Sequence, residues 1–367
     1  MSAAPGRSQA SSHRSPEGEG TPVSAAVEGS PVSRPTAPTV LTVLLNFRTP
    51  DMTLQALEAA LREMQDIAGA ISVVDNDSGD GSFEKIRDAV QARGWERVRV
   101  LQAGHNGGYG AGNNHGMRQG LPDGSAPDFV YLLNSDAFPE PGSLRILLDH
   151  MVQHPRVGFA GGRTHGEDGE LHNTAFRFPS IFSEFESAAV TGPISRLLKN
   201  YIVAMPAPQN VQEVDWLAGA SLMVRRETLD EIGMFDEHFF LYFEETDLCL
   251  RARRSGWTSV YVPQSQVMHI GSVTTGMKTW RRMPSYWFDS RLRYFAKNHG
   301  VLYAATATFA HLAGALILRL RWLVSSRSRQ SDEPERFLRD LISHDLRCMW
   351  RRKLGADHPG PSPETGS

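Results

Sequence analysis

The chain has 367 residues, 40% of them hydrophobic, with 38 Lys+Arg against 41 Asp+Glu and 2 cysteines. That length supports a large core without disulfide or zinc staples. Cys249 and Cys348 are too few for a Cys-rich metal site or a secreted disulfide framework, which favours a reducing cytoplasm, and a net charge of -3 argues against a dedicated nucleic-acid binder.

Residues 1–37 are rich in Ala, Pro, Ser and Gly and have no hydrophobic periodicity. They predict a disordered N-terminal segment with no signal-peptide core. Order begins at Thr39-Val-Leu-Thr-Val-Leu-Leu45, an apolar run suited to a buried parallel strand. Helical spacing of Leu54, Leu57, Leu61 and Met64 predicts a helix over 52–64. A second strand at 70–74 ends in Asp75-Asn-Asp-Ser78, a helix spans 83–93, and a third strand covers 98–101. The Gly/Asn-rich stretch 104–116 reads as a loop leading into a helix near 113–120, followed by a strand at 129–133 that ends in Asn134-Ser-Asp136. This alternation predicts an α/β fold with a mostly parallel sheet flanked by helices. Polar clusters sit at the strand ends, where open sheets of this kind bind ligands.

The middle section is less regular. A strand with a glycine kink is predicted over 215–224 and a short helix over 227–232. Another helix runs from Glu244 to Ser255, and a late strand over 259–262 precedes His269. The sequence divides into a domain at 38–300, a basic and apolar helical extension at 301–354, and a disordered tail at 355–367. From Lys278 to Lys353 there are 16 Lys/Arg and 6 Asp/Glu, a surplus of +10 that leaves -13 for the remainder. Val301–Leu318 is long enough to be weighed as a membrane span. Its small residues and His311 favour an interfacial or buried helix. The basic end fits either an anionic membrane surface or a solvated helical bundle.

Four constellations carry chemistry, the first being the strand end Asp75-Asn76-Asp77-Ser78, which could hold a base or ribose or be a turn with Asx capping. Asp136 at a strand end suits a hard divalent cation, Mg2+ or Mn2+, shared with phosphate oxygens; Asn-x-Asp is also a common turn. Glu244-Glu245-Thr-Asp247 follows five hydrophobic or aromatic residues. It reads either as an acidic helix start or as a general base held in apolar surroundings. Asp247 and Arg251 have the i, i+4 spacing of a helical pair. The stretch from Gly104 to Gly116 holds six glycines and three asparagines, a composition that brings backbone N–H groups to phosphates or makes a structural turn. It is neither a Walker A loop nor a Rossmann fingerprint.

In order, Leu44-Leu-Asn-Phe47, Val73-Val-Asp-Asn-Asp-Ser78, Asn106-Gly-Gly-Tyr-Gly-Ala-Gly-Asn-Asn-His-Gly116, Leu132-Leu-Asn-Ser-Asp136, Trp216-Leu-Ala-Gly-Ala220, Tyr242-Phe-Glu-Glu-Thr-Asp-Leu-Cys-Leu-Arg251 and His269-Ile-Gly-Ser272 resemble family 2 glycosyltransferases of GT-A fold, in the bacterial rhamnosyltransferase-like branch. The resemblance covers about 39–300. It implies donor binding by Asn46, Asp75, Asn106, Gly107, Asn113 and Ser135, and a metal held by Asp136 and His269. It implies acceptor contacts from Trp216, Gly219, Ala220 and Glu244, with Glu245 as catalytic base. Asn134 replaces the first acid of the family's Asp-x-Asp motif, and Glu245 stands where many members carry Asp. The implied partners are a nucleotide-diphosphate sugar, dTDP-rhamnose by branch, and a glycan or polyprenyl-pyrophosphate-linked acceptor. The implied location is the cytoplasm, with peripheral attachment to the inner membrane face. Two rivals share such a core. A nucleotidyltransferase would need an activating cation near the first loop, where Arg48 stands alone. A non-catalytic sugar- or nucleotide-binding scaffold would have no use for Asp136 and Glu245 together.

Overall fold

In the computed structural model the described residues are 37–271, 280–324 and 334–353. The expected disorder at the two termini, and Ser272, lie outside them. The first half of the chain alternates as its periodicity predicts: β1 (Thr39–Asn46), α1 (Pro50–Glu63), β2 (Ala68–Asp75), α2 (Ser82–Ala92), β3 (Val98–Gln102), α3 (Gly108–Arg118) and β4 (Phe129–Asn134). There follow β5 (Ala137–Pro139), α4 (Ser143–Gln153), β6 (Val157–His165), β7 (Leu171–His172), β8 (Ala175–Phe176), α5 (Ile181–Ala189) and α6 (Gly192–Leu197). After a short 3-10 turn come β9 (Gln212–Val214), β10 (Trp216–Leu217), β11 (Ser221–Arg225), α7 (Arg226–Ile232), α8 (Glu244–Arg254) and β12 (Thr258–His269). The described chain ends in α9 (Ser285–His299), α10 (Val301–Val324) and α11 (Phe337–Lys353).

The main sheet runs β3-β2-β1-β4-β11-β6-β12-β5, with β7 beside β6 and β9 beside β12. The β1–β2, β2–β3, β1–β4 and β6–β12 pairs are parallel, and β11 is antiparallel to both its neighbours. Alternate residues of β1 serve two cores. Val40 and Leu44 pack with Leu57, Ile71, Leu147 and Met151, and Leu41 and Val43 pack with Val74, Met117, Leu222 and Leu248. Burial on both faces explains the unbroken apolar run.

Register sets the site. Asn46 pairs with Asp75, and Leu45 with Asn134, so β1, β2 and β4 end together. The order reverses between β1 and β4, the switch point at which such sheets open a crevice. Strand β12 is long enough to reach this edge. Its register jumps between Val262 and Gln266, where Pro263 sits in a bulge and costs no ladder bond. Beyond the bulge His269 pairs with Ala137.

Two sequence expectations need correction. Helix α3 starts at Gly108, not near Asn113, so most of the glycine-rich stretch is helix rather than loop. A Cβ at Gly112 would lie 2.5 Å from Leu45, and one at Gly116 2.6 Å from Val43. These glycines bring α3 down onto the sheet. The strand predicted over 215–224 is two strands, β10 and β11, interrupted at Ala218–Ala220.

Candidate functional site

At the ends of β1 and β2 the polar side chains hold one another. Asn46 Nδ2 donates to Asp75 Oδ1 at 2.7 Å and to Ser78 Oγ at 3.2 Å. Thr53 Oγ1 donates to Asn46 Oδ1 at 2.7 Å. Asp75 Oδ2 also accepts from the Ser78 backbone N–H at 3.1 Å and from Gln102 Nε2 at 3.2 Å. Ser135 Oγ lies 3.0 Å from Thr49 Oγ1, tying the end of β4 to the start of α1. Asn106 Oδ1 accepts from Asn76 Nδ2 at 2.9 Å and from the Gly108 N–H at 3.0 Å. Gly107 is the N-cap of α3. Asn113 is 1% exposed and donates to the Tyr109 carbonyl, so its amide is turned to the helix's own backbone. Asn76, part of the polar strand end marked by the sequence, has its Oδ1 buried without a hydrogen-bond partner beside this cluster.

A second group forms where β4 passes to β5. Asp136 Oδ1 lies 3.1 Å from His269 Nε2, and Asp136 Oδ2 accepts from the Gly271 N–H at 3.1 Å. Asp136 is buried and His269 partly so. A carboxylate and an imidazole this close, just beyond the end of β4, fit a divalent cation. His172, on β7, brings its ring edge-on to His269 with centroids 6.1 Å apart. No local pattern in the sequence marks His172; only the β6–β7 pairing carries it there.

The third group is the acidic start of α8. The Gly219 N–H donates to Glu245 Oε1 at 3.1 Å, and Tyr109 O–H donates to the Gly219 carbonyl at 2.8 Å. The next carbonyl, that of Ala220, accepts from the Asn134 N–H at 3.0 Å. Thus one short stretch links Glu245 to the strand end that carries Asp136. Glu245 is half-buried, whereas Glu244 is 1% exposed and its Oε2 has no partner. Burial raises both carboxyl pKa values, Glu244 furthest because Glu245 adds like charge. The Gly219 N–H favours the charged form of Glu245, so the pair's first negative charge falls there. Burial and the two glutamates push the Tyr109 hydroxyl far up, keeping it a neutral donor.

The turn into α8 is strained: Tyr242 and Phe243 have φ of 69° and 67°. Such backbone persists only where its surroundings impose it. Gly108, at φ 86°, lies against the Phe240 carbonyl, where a Cβ would come within 1.8 Å. Asp247 anchors the helix. It accepts from Arg251 Nε at 2.9 Å, as the spacing predicts, and from Lys297 Nζ and Asn298 Nδ2 of α9. Phe240, Tyr242, Trp280 and Tyr286 make an aromatic wall beside the glutamates. Trp216 is half-buried, stacked on Phe176 at 4.1 Å, and its indole N–H donates to the Arg177 carbonyl.

A mostly parallel sheet whose strand ends gather such donor, acidic and base-like groups defines a GT-A glycosyltransferase. The family described as Glycosyltransferase like family 2 matches residues 38–323, and the chain belongs to it. Over 301 residues the chain is 32% identical to the N-acetylglucosaminyl-diphospho-decaprenol L-rhamnosyltransferase of Mycobacterium tuberculosis, spanning 80% of this chain and 95% of that one. It is 25% identical to the rhamnosyltransferase WbbL of Escherichia coli over 39% of this chain and 52% of that protein. In fold it is similar to the mannosyltransferase PcManGT of Pyrobaculum calidifontis, solved with GDP-Man and Mn2+. The TM-score is 0.52 at 13% identity, covering 88% of this chain and 89% of that one.

The close packing at Gly219 yields a test. A Cβ there would lie 2.4 Å from Tyr109 Oη and 2.6 Å from Glu245 Oε1. Gly219→Ala is expected to cost about 1–3 kcal/mol of stability through overpacking. Displacing the carboxylate by about 1 Å should lower transfer by roughly 10²-fold. Thermal unfolding and steady-state rates read the two effects separately.

Proposed function

We propose that this enzyme transfers L-rhamnose, with inversion, from dTDP-L-rhamnose to a hydroxyl of a polyprenyl-diphosphate-linked glycan at an anionic membrane surface. The observation that carries the reading is the joined pair of groups: Glu245 held by Gly219, and Asp136 with His269 at the adjoining strand end. The rhamnosyl group and the polyprenyl-diphosphate-linked acceptor follow the mycobacterial relative's printed activity and its near-full coverage, and dTDP as the carrier follows only the resemblance to the rhamnosyltransferase-like branch.

In this reading Asn46, Asp75 and the Asn106–Gly108 turn receive the nucleoside and diphosphate, and Ser135 borders them. Gly219, Ala220, Trp216 and the aromatic wall border the acceptor, with Glu244 as the buried neutral neighbour of the base. Glu245 takes the proton of the acceptor hydroxyl as its oxygen bonds to the anomeric carbon. The carbon–phosphate-oxygen bond breaks on the opposite face, the nucleoside diphosphate leaves, and the proton passes to solvent. Asp136 and His269 would hold Mg2+ or Mn2+, which supplies neutralisation of the departing diphosphate charge.

The membrane part of the reading is supported by α10. By length and composition it could cross a bilayer. Its small residues, however, face the protein: a Cβ at Gly314 would lie 2.4 Å from the Phe185 carbonyl of α5. Leu302, Phe309, Leu316 and Leu323 recur every seventh residue on the outer face, with Leu302 82% and Phe309 70% exposed. An apolar outer stripe ending in exposed Arg319 and Arg321 suits a helix lying in the interface. Each basic residue near an anionic surface adds about 1 kcal/mol of attraction.

One assay tests the reading. Purified protein is given a panel of nucleotide sugars and a polyprenyl-diphosphate-linked N-acetylglucosamine in neutral or anionic liposomes. Transfer from dTDP-rhamnose with release of dTDP, fastest on anionic liposomes at low salt, is the expected result. A preference for another sugar overturns the donor assignment, and release of pyrophosphate points to nucleotidyl transfer. Equal rates and equal sedimentation on both liposomes remove the membrane surface.

A further inference from the structure

Helices α9 and α11 bring together three side chains that sugar transfer does not use. Asp289 comes from α9, and His344 and Cys348 from α11, four residues apart and so on one face. Their ligand-capable atoms all lie within 4.8 Å of one another. His344 Nε2 is 2.8 Å from Asp289 Oδ1 and 3.6 Å from Cys348 Sγ. The other ring nitrogen, Nδ1, lies 3.0 Å from Asp345 Oδ1. Asp345 is itself fixed, accepting from Thr308 Oγ1 at 2.6 Å and pairing with buried Arg291.

We propose that Asp289, His344 and Cys348 form a zinc site that fastens α11 to α9. A zinc ion sits about 2.0–2.1 Å from nitrogen and about 2.3 Å from sulfur, so tetrahedral angles place N and S about 3.6 Å apart, the separation seen here. The same geometry sets N and O about 3.3 Å apart. The Asp289 carboxylate therefore needs to move back by only about half an ångström, and it is on the exposed side of the cluster. The thiolate and imidazole select a borderline-soft ion such as Zn2+ over the hard cations suited to Asp136. Asp345 on Nδ1 is the outer carboxylate that commonly orients a zinc-bound histidine.

Charge balances as well. A protonated His344 and a Cys348 thiol beside ionised Asp289 sum to zero. Neutral imidazole, thiolate and carboxylate around Zn2+ also sum to zero, with two protons released to solvent. The exchange therefore adds no net charge to a largely buried cluster. The rival is a plain ion pair of His344 with Asp289 and Asp345, to which the cysteine would be irrelevant.

Cobalt decides between them on the full-length chain, because thiolate-bound Co2+ has a near-ultraviolet charge-transfer band that oxygen and nitrogen ligands lack. Metal-stripped protein titrated with Co2+ is expected to develop that band up to about one equivalent. Asp136→Asn should keep the band and Cys348→Ser should lose it. Zinc retained after desalting should follow the same pattern, about one equivalent in wild type and Asp136→Asn and little in Cys348→Ser or His344→Gln. No thiolate band in the wild-type protein overturns the proposal, whether or not any variant folds. So does a band that persists in Cys348→Ser, or zinc that disappears with Asp136. The inference is independent of the sugar and acceptor assigned above, since neither readout involves transfer.

Discussion

Replacing Glu245 by Gln is expected to leave a folded protein that binds its donor and transfers sugar about 10²–10⁴-fold more slowly. The amide keeps an oxygen to accept the Gly219 N–H, so the link to β10 and β11 survives. What it loses is the ability to take a proton. The pH profile should carry the same message. Burial raises the Glu245 pKa, so the wild-type rate should fall as pH is lowered through a value above the ordinary carboxylate range. Above that value the base is ionised and the rate levels off. Glu244→Gln should leave this acid limb in place, because Glu244 is already neutral when Glu245 ionises. Near-normal turnover by Glu245→Gln, or collapse of the rate only in Glu244→Gln, would remove Glu245 from the role of base. Donor-induced thermal stabilisation, measured alongside, separates lost chemistry from lost binding.

Glu245 stands out in the sequence as a candidate base for a local reason. Five hydrophobic or aromatic residues run directly into Glu244-Glu245, a pattern that suits either an acidic helix start or a carboxylate in apolar surroundings, and the family resemblance points to the second. Asn46, Asp75 and Asp136 were legible because parallel strands end in register, and β1, β2 and β4 announce themselves as apolar runs. The glycine-rich stretch misleads because its glycines answer to distant partners. Gly108 meets Phe240, Gly110 meets Phe235, and Gly112 and Gly116 meet β1. Composition alone reads them as loop. Tyr109 lay inside that stretch, but its partner Gly219 is 110 residues away, so its bond was not readable. The same holds for His172 against His269. The stretch with α4 is a different case. Leu144, Leu147, Leu148 and Met151 have plain helical spacing, so this helix was open to a sequence reading although it is absent from the elements predicted above. For α10 the pattern is inverted: small residues are buried and leucines point out, so apolarity alone could not say which face the protein covers.

Asp136→Asn is expected to lower transfer by roughly 10²–10³-fold, comparable to deleting one preorganised charge-stabilising group. The variant should fold. Asparagine can turn its carbonyl oxygen to the Gly271 N–H and its amide to His269 Nε2, which accepts in the alternative tautomer. Both contacts of the native carboxylate then persist and only the negative charge is gone. Sequence already lacks an acid at Asn134, so Asp136 is the only carboxylate of that tripeptide and nothing beside it in the motif can substitute. The rate should therefore respond steeply to added Mg2+ or Mn2+ in the wild type and weakly in the variant. Divalent cation should also strengthen nucleoside-diphosphate binding only in the wild type. Chelation by EDTA should stop the wild-type reaction. By itself chelation is ambiguous, because it also reaches any zinc held by Asp289, His344 and Cys348; Asp136→Asn is specific. A wild-type rate indifferent to EDTA, together with full activity of Asp136→Asn, would take metal out of the mechanism. The leaving diphosphate would then have to be stabilised by the backbone N–H groups at the start of α3 and by the neutral polar side chains around them.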